Sequence, residues 1–298
     1  MADALKISPF ARDFLASAKS DLKAARHLYQ GGCYPQAVYY LQQCVEKGMK
    51  SYSVSSGLIN EGEARKEIGH KILRIYEKSV RDLKKRALDE QKKMDNNPVL
   101  KAALGNLIPF PRMIKEIDDM LIQVKKLSQH DEKSLHITEE DLNKTIKTLQ
   151  DLHRDSKRER KNVQTKNQSH LEYRHAKADL SEMIEAMFAG QPEKLQIMKK
   201  ELDRTFTKDS YEKQMREILL QNLTPMETFG AFFHLSCILQ PHAYTRYPKN
   251  GFNPLEFYKP DLPLIKSFPK LADITERVLN QVEEMYQDSV GGVQHVPA

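Results

Sequence analysis

The sequence predicts an all-α protein. Apolar residues recur at three- and four-residue steps through most of the 298 residues, the spacing that gathers side chains on one face of a helix. Alternation of β-branched residues, the mark of a half-buried strand, is scarce. Only 12 glycines and 14 prolines punctuate the chain, few for a protein built from short strands and turns.

The elements follow in order. Ala18, Leu22, Ala25 and Leu28 mark the apolar face of a first helix. Gly31-Gly32 stops it, because glycine takes the positive φ of a helix C-terminus. Pro35 opens a second helix, where its missing N–H costs nothing, and Ala37, Leu41, Val45 and Met49 form the stripe. Ala24, Ala25 and Ala37 would let the two helices approach closely as an antiparallel pair. Ile72, Leu73, Tyr76, Val80 and Leu83 predict a third helix that runs on into the polar stretch Lys84–Asp95. Asn96-Asn97-Pro98 and Leu107–Pro111 read as breaks. Met113, Ile114, Ile117, Met120, Leu121, Val124 and Leu127 approach a heptad seam. Thr138-Glu139-Glu140-Asp141 resembles a capping box ahead of Leu142, Ile146, Leu149 and Leu152. Asp151–Lys177 is basic and amide-rich, and reads either as a solvated helix end or as a phosphate-contact strip. Thr224 and Pro225 read as N-cap and first residue of a strongly apolar helix through Met226, Phe229, Phe232, Phe233, Leu235 and Ile238, expected to be the buried centre of a bundle. The prolines and glycine of Lys249–Pro269 predict a loop, Leu271–Tyr286 a last helix, and Gly291–Ala298 a disordered tail.

Composition narrows the class. Forty per cent apolar residues suffice for a core, and no run of about 18 apolar residues predicts a membrane span. The N-terminus lacks the apolar stretch of a secretory leader. Cys33, Cys44 and Cys237 are odd in number and form no C-x-x-C, so free thiols in a cytoplasmic protein are expected, without a zinc site or disulfide framework. The net charge of +6 permits nucleic-acid binding without arguing for it. Phosphate-loop, dinucleotide-loop, zincin and nucleophile-elbow motifs are all missing. No metal and no cofactor is expected.

Two strings carry a resemblance. The first is DL-x-AA-x-x-L, G-x-YPQA and LQQ-x-VEK-x-x-K over Asp21–Lys50, followed by GHKIL at Gly69–Leu73. The second is Tyr244-Thr245-Arg246-Tyr247-Pro248. In this order and context the chain resembles the HEPN (higher eukaryotes and prokaryotes nucleotide-binding) family. The resemblance covers roughly residues 10–80 and 223–288. It implies an up-and-down helical bundle of HEPN type, formed by residues 1–83 and 223–298 and split by a helical insertion at 84–222. It also implies a homodimer, and a nucleotide, RNA or nucleotidyltransferase-like protein as partner, with no membrane involved.

Candidate site residues follow from that resemblance. Gln42 and Glu46 share one face of the second helix, Gln43 and Lys47 another, and Glu46 and Lys50 can form an i,i+4 ion pair. These residues read either as an exposed salt-bridged face or as a nucleotide- or partner-binding groove. Tyr244, Arg246 and Tyr247 read either as a structural clasp or as a phosphate ligand flanked by rings. Catalytic members of the family resemble one another in an Arg, four to six arbitrary residues, then His, and are metal-independent ribonucleases acting as dimers. Arg65 and His70 fit that spacing. An imidazole would take the ribose 2′-OH proton and a guanidinium would steady the developing anion. The expected function is nucleotide, RNA or partner binding without catalysis, with metal-independent endoribonuclease as the alternative. The structural alternative for His70 is a hydrogen bond across the bundle to Gln42 or Glu46.

Overall fold

The computed structural model describes residues 8–96, 110–128, 137–165, 170–244, 248 and 252–291. These residues form α-helices with one 3-10 segment and no extended strand. The helices are α1 (Pro9–Gln30), α2 (Tyr34–Ser55), α3 (Glu61–Lys66), α4 (Leu73–Asp95), α5 (Phe110–Ser128), α6 (Glu139–Thr165), α7 (His170–Met187), α8 (Pro192–Thr205), α9 (Lys208–Leu239), α10 (Pro254–Phe257) and α11 (Pro263–Gly291). The 3-10 segment Gln240–Tyr244 follows α9.

The chain divides into two compact units. The first comprises residues 1–79, 123–154 and 226–298, and the second 80–122 and 155–225. Residues 123–154, which the sequence pattern placed in the insertion, thus belong with the two terminal segments. The reason is apolar: Leu142, Ile146 and Leu149 of α6 are fully buried in that core.

In the first unit α1 and α2 pack as an antiparallel pair, with α11 against both. Gly32 has a φ of 74° at the turn, where a side chain would be strained. Ala18, Ala25, Ala37, Leu41, Val45 and Met49 are buried as their spacing predicts. The buried centre is shared by α2, with 13 of its 22 residues inside, and by the segment after Pro225, where Phe232, Leu235 and Leu239 are buried. That later segment has no start of its own. Helix α9 runs unbroken from Lys208 through Thr224 and Pro225 to Leu239, although proline removes one hydrogen bond of the ladder. Its end packs Phe232, Leu235 and Leu239 into the core, so its apolar face is largely used within the unit.

The C-terminal region also departs from expectation. Within the predicted loop, Asn253 caps α10 through a bond from the Leu255 N–H (3.1 Å), and α11 begins at Pro263 and passes through Pro269. Gly291 still belongs to α11, and the rest of the expected tail lies outside the described residues. The predicted capping at Thr138 is present: its hydroxyl accepts the Asp141 N–H at 3.1 Å.

The second unit has a smaller apolar cluster of Val80, Ala87 and Ile117, flanked by Met113, Ile114 and Leu121. A Lys84–Asp118 ion pair (2.6 Å) lies between the α4 and α5 segments. Helices α7 and α8 pair, tied by Lys177–Asp203 (2.8 Å), with Tyr173 stacked on Phe206.

Candidate functional site

The polar string of α2 is buried, not solvated. Gln42, Glu46 and Lys50 lie one turn apart on a face covered by neighbouring elements. The Glu46 carboxylate accepts three hydrogen bonds. Lys50 Nζ donates to Oε1 at 2.9 Å, while Gln42 Nε2 and His70 Nδ1 reach Oε2, each at 3.2 Å. Gln43 Nε2 donates to Gln42 Oε1 at 2.7 Å. A charge taken from water must find such partners, and the i,i+4 spacing of α2 supplies two of them locally.

His70 is placed by the turn between α3 and α4. Asn60 caps α3 in a reciprocal capping box with Glu63, and Gly69 turns the chain with a φ of 50°. An ionised carboxylate only accepts, so the proton of a neutral His70 sits on Nδ1 and Nε2 is left as an acceptor. The His70 side chain is 63% exposed while Glu46 is 4% exposed. The result is an imidazole at the surface, aimed by a buried carboxylate. Arg65 does not pair with either. Its guanidinium lies over the Phe10 ring at 4.8 Å, and Phe10 packs on Phe14, above which Lys50 sits at 6.0 Å. Lys66, Lys71 and Arg74 are also exposed along this segment.

Lys47 points away from the cluster and pairs with Asp21 of α1 at 2.5 Å. Nearby Cys44 is buried, and burial pushes its thiol up from the ordinary range. The 3-10 segment packs on α2 and is anchored twice. Gln240 Oε1 accepts the Leu73 N–H at 3.0 Å, serving a donor left free at the start of α4. His242 Nδ1 bonds the Tyr258 hydroxyl at 2.7 Å. Tyr244 ends that segment, and Arg246 and Tyr247 lie outside the described residues.

The sequence reading missed a second buried carboxylate. Glu227 of α9 accepts from His153 Nδ1 (2.7 Å) and Gln281 Nε2 (2.6 Å). No local spacing could reveal it, since the partners lie 74 and 54 residues away. Among the described residues of the first unit, cavities open away from the α2 cluster. One of about 710 Å³ is bordered by Lys23, His27 and Tyr40, one of about 470 Å³ by Asn60, Glu63 and Lys78, and one of about 340 Å³ by Tyr39, Pro254 and Leu255. Among the described residues no group of three or more His, Cys, Asp or Glu side chains could hold a metal ion, and no helix is long and apolar enough to cross a membrane.

The profile of the HEPN domain matches residues 11–160. A protein of Methanocaldococcus jannaschii named "Putative toxin MJ1304" is 35% identical over 75 residues, which cover 24% of this chain and 47% of that protein. The chain thus spans about half the length of that relative. No solved structure matches.

Proposed function

The chain belongs to the HEPN family, and from that premise we propose that it binds RNA or a nucleotide by its phosphate at the His70 end of the α2 cluster. The observation that carries this reading is the surface imidazole of His70 held at 3.2 Å by buried Glu46. Arg65, laid flat on Phe10, supplies the donor whose planar fork suits phosphate oxygens, and the acceptor Nε2 of His70 suits the ribose 2′-OH beside that phosphate. Tyr244, Arg246 and Tyr247 are the proposed third contact, and Gln42 and Gln43 hold the Glu46 side of the site. Residues 84–222 remain the proposed insertion in the bundle, now without 123–154. The working form is a homodimer in the cytoplasm, with a nucleotidyltransferase-like protein as partner. Exposed Met120 and Leu127 on α5 support a contact between copies.

The second reading is metal-independent RNA cleavage. The same His70–Glu46 bond favours it, because a carboxylate-oriented imidazole is the form a general base takes. The toxin name of the Methanocaldococcus jannaschii relative is in keeping with it. In this reading His70 Nε2 takes the 2′-OH proton, the oxygen attacks the adjacent phosphorus, the P–O5′ bond breaks, and the 5′-oxygen takes a proton from water to leave as the next nucleotide's hydroxyl, with His70 returning its proton to solvent.

Incubation of the full chain with total RNA in EDTA tests both readings. Binding without cleavage is the expected outcome, with His70→Gln and Arg65→Gln each weakening it about tenfold. Cleavage that leaves 2′,3′-cyclic phosphate ends, is abolished by His70→Ala and falls about a hundredfold in Arg65→Ala would establish the second reading instead. Neither binding nor cleavage, with the variants folded, overturns both.

A further inference from the structure

We infer that the cavity between the start of α2 and α10 holds one unstacked base of the RNA strand whose phosphate and ribose are proposed to sit at His70, an inference that rests on that reading. The cavity measures about 340 Å³, at the lower end of the range of small-ligand sites. Tyr39 and Tyr40 line it from α2, and Pro254 and Leu255 from α10. Helix α10 packs against α2. Asn253 fixes that wall as the cap of α10, since its Oδ1 accepts the Leu255 N–H at 3.1 Å and its Nδ2 donates to Glu256 at 3.0 Å.

The lining selects a flat, neutral occupant. None of the lining residues carries a charge, so an anion or a charged side chain would lose water there without gaining a counter-charge. Tyr40, Leu127, Met226 and Leu255 are the exposed large apolar side chains of the first unit among the described residues, and Tyr40 (36%) and Leu255 (70%) both border this one cavity. Exposed apolar surface gathered at one concavity marks a binding site. The Tyr39 and Tyr40 rings stand 5.6 Å apart with planes at 76°, so a flat ring stacked on one meets the edge of the other. Gln36 also lines the cavity, three and four residues before the two tyrosines and on their side of α2. Its exposed amide makes no hydrogen bond among the described residues, and it offers a donor and an acceptor to the edge of a base. Position ties the cavity to the proposed site. Tyr39 precedes Glu46 by seven residues, two turns and about 10 Å along one side of α2. Pro248, on the rim, directly follows Arg246-Tyr247 in the sequence. A strand held at His70 thus has a place for a neighbouring base, and stacking on aromatic rings is how proteins hold single-stranded RNA. A purine covers more of the two rings than a pyrimidine, which favours adenine over uracil.

The full chain, labelled with ¹³C-tyrosine, is titrated with adenosine, which has no phosphate, and then with oligoadenylate and oligouridylate of equal length. The Tyr39 and Tyr40 signals are identified by their loss in Tyr39→Phe and Tyr40→Phe. Adenosine is expected to shift both, and oligoadenylate to bind more tightly than oligouridylate. Tyr40→Ala should weaken oligoadenylate binding about tenfold and erase the preference, whereas Tyr40→Phe, which keeps the ring, should retain both. Tyr40 is exposed, so the urea midpoint of either variant should stay near that of wild type. Oligoadenylate binding that depends on His70 and Arg65 but is unchanged in Tyr40→Ala overturns this inference and leaves the phosphate reading standing. Absent RNA binding, with adenosine still shifting both rings, overturns the phosphate reading and leaves a nucleoside pocket that acts alone. Rings unmoved by adenosine and oligoadenylate, or moved only by a proline-rich peptide, overturn the base pocket itself.

Discussion

Glu46 carries its charge into a face where the carboxylate and its partner Lys50 are 4% and 8% exposed. Removing one partner of such a pair strands the other without a counter-charge, whereas replacing both with apolar groups can be nearly neutral. Glu46→Gln should therefore lower unfolding stability by about 3 kcal/mol, and adding Lys50→Met should recover most of it. Urea unfolding checks both, and a single variant within about 0.5 kcal/mol of wild type would show that the pair does not act as described. His70 behaves differently. Its exposed ring gains little from a bond in water, so His70→Ala should leave the midpoint nearly unchanged while altering RNA binding. The same carboxylate thus stabilises through Lys50 and orients through His70.

At the scale of elements, α2 is held by close approach. A Cβ built on Gly48 would stand 2.6 Å from Leu279 Cδ2 and 3.0 Å from the Phe232 ring. Leu279 and Phe232 are themselves at most 1% exposed and have nowhere to move. Gly48→Ala gains about 1 kcal/mol of helix propensity but incurs overpacking of about 1–3 kcal/mol. The packing effect wins, so we expect a net loss of about 1 kcal/mol and a lower thermal midpoint. A raised midpoint would mean that α9 and α11 shift freely against α2. Helix α9 shows the opposite balance. One lost hydrogen bond at Pro225 does not outweigh the burial of Phe232, Leu235 and Leu239 beyond it.

For the whole molecule, burial of neutral acids sets an alkaline limit. Burial pushes the Cys237 thiol up to about 12 from an ordinary 9.0, and Tyr52 up to about 12 from 10.0. Cys44 and Tyr76 are raised by the same cause. The folded state favours the protonated forms, so their contribution is full below the unfolded values and is lost as pH rises from 9 towards 12. Each group that ionises only on unfolding takes about 1.4 kcal/mol per pH unit in that window. The urea midpoint should hold level to about pH 9 and then fall steeply, with the slope m unchanged. A midpoint that stays level through the window would contradict the burial of these groups. The same burial leaves exposed Cys33 as the thiol that reacts with a disulfide reagent in the native state.

The sequence by itself determined what local spacing can determine. Three- and four-residue steps gave α1, α2 and the buried stripe of α6, glycine and proline gave the α1–α2 turn, and Thr138 gave its cap, because each of these depends on neighbours within one or two turns. The structural alternative for His70 is a hydrogen bond to Gln42 or Glu46, and the structure forms the bond to Glu46, 24 residues away. Only the tertiary structure decided whether a polar face meets water. Gln42, Glu46 and Lys50 follow a pattern that fits a solvated face equally well, and they are buried because other elements pack over α2. Only the tertiary structure carried α9 through Pro225, since the burial of Phe232, Leu235 and Leu239 beyond it outweighs a local break. The Glu227 cluster was invisible for the same reason: α6, α9 and α11 each contribute one residue, and no periodicity links residues that meet only when the chain is folded.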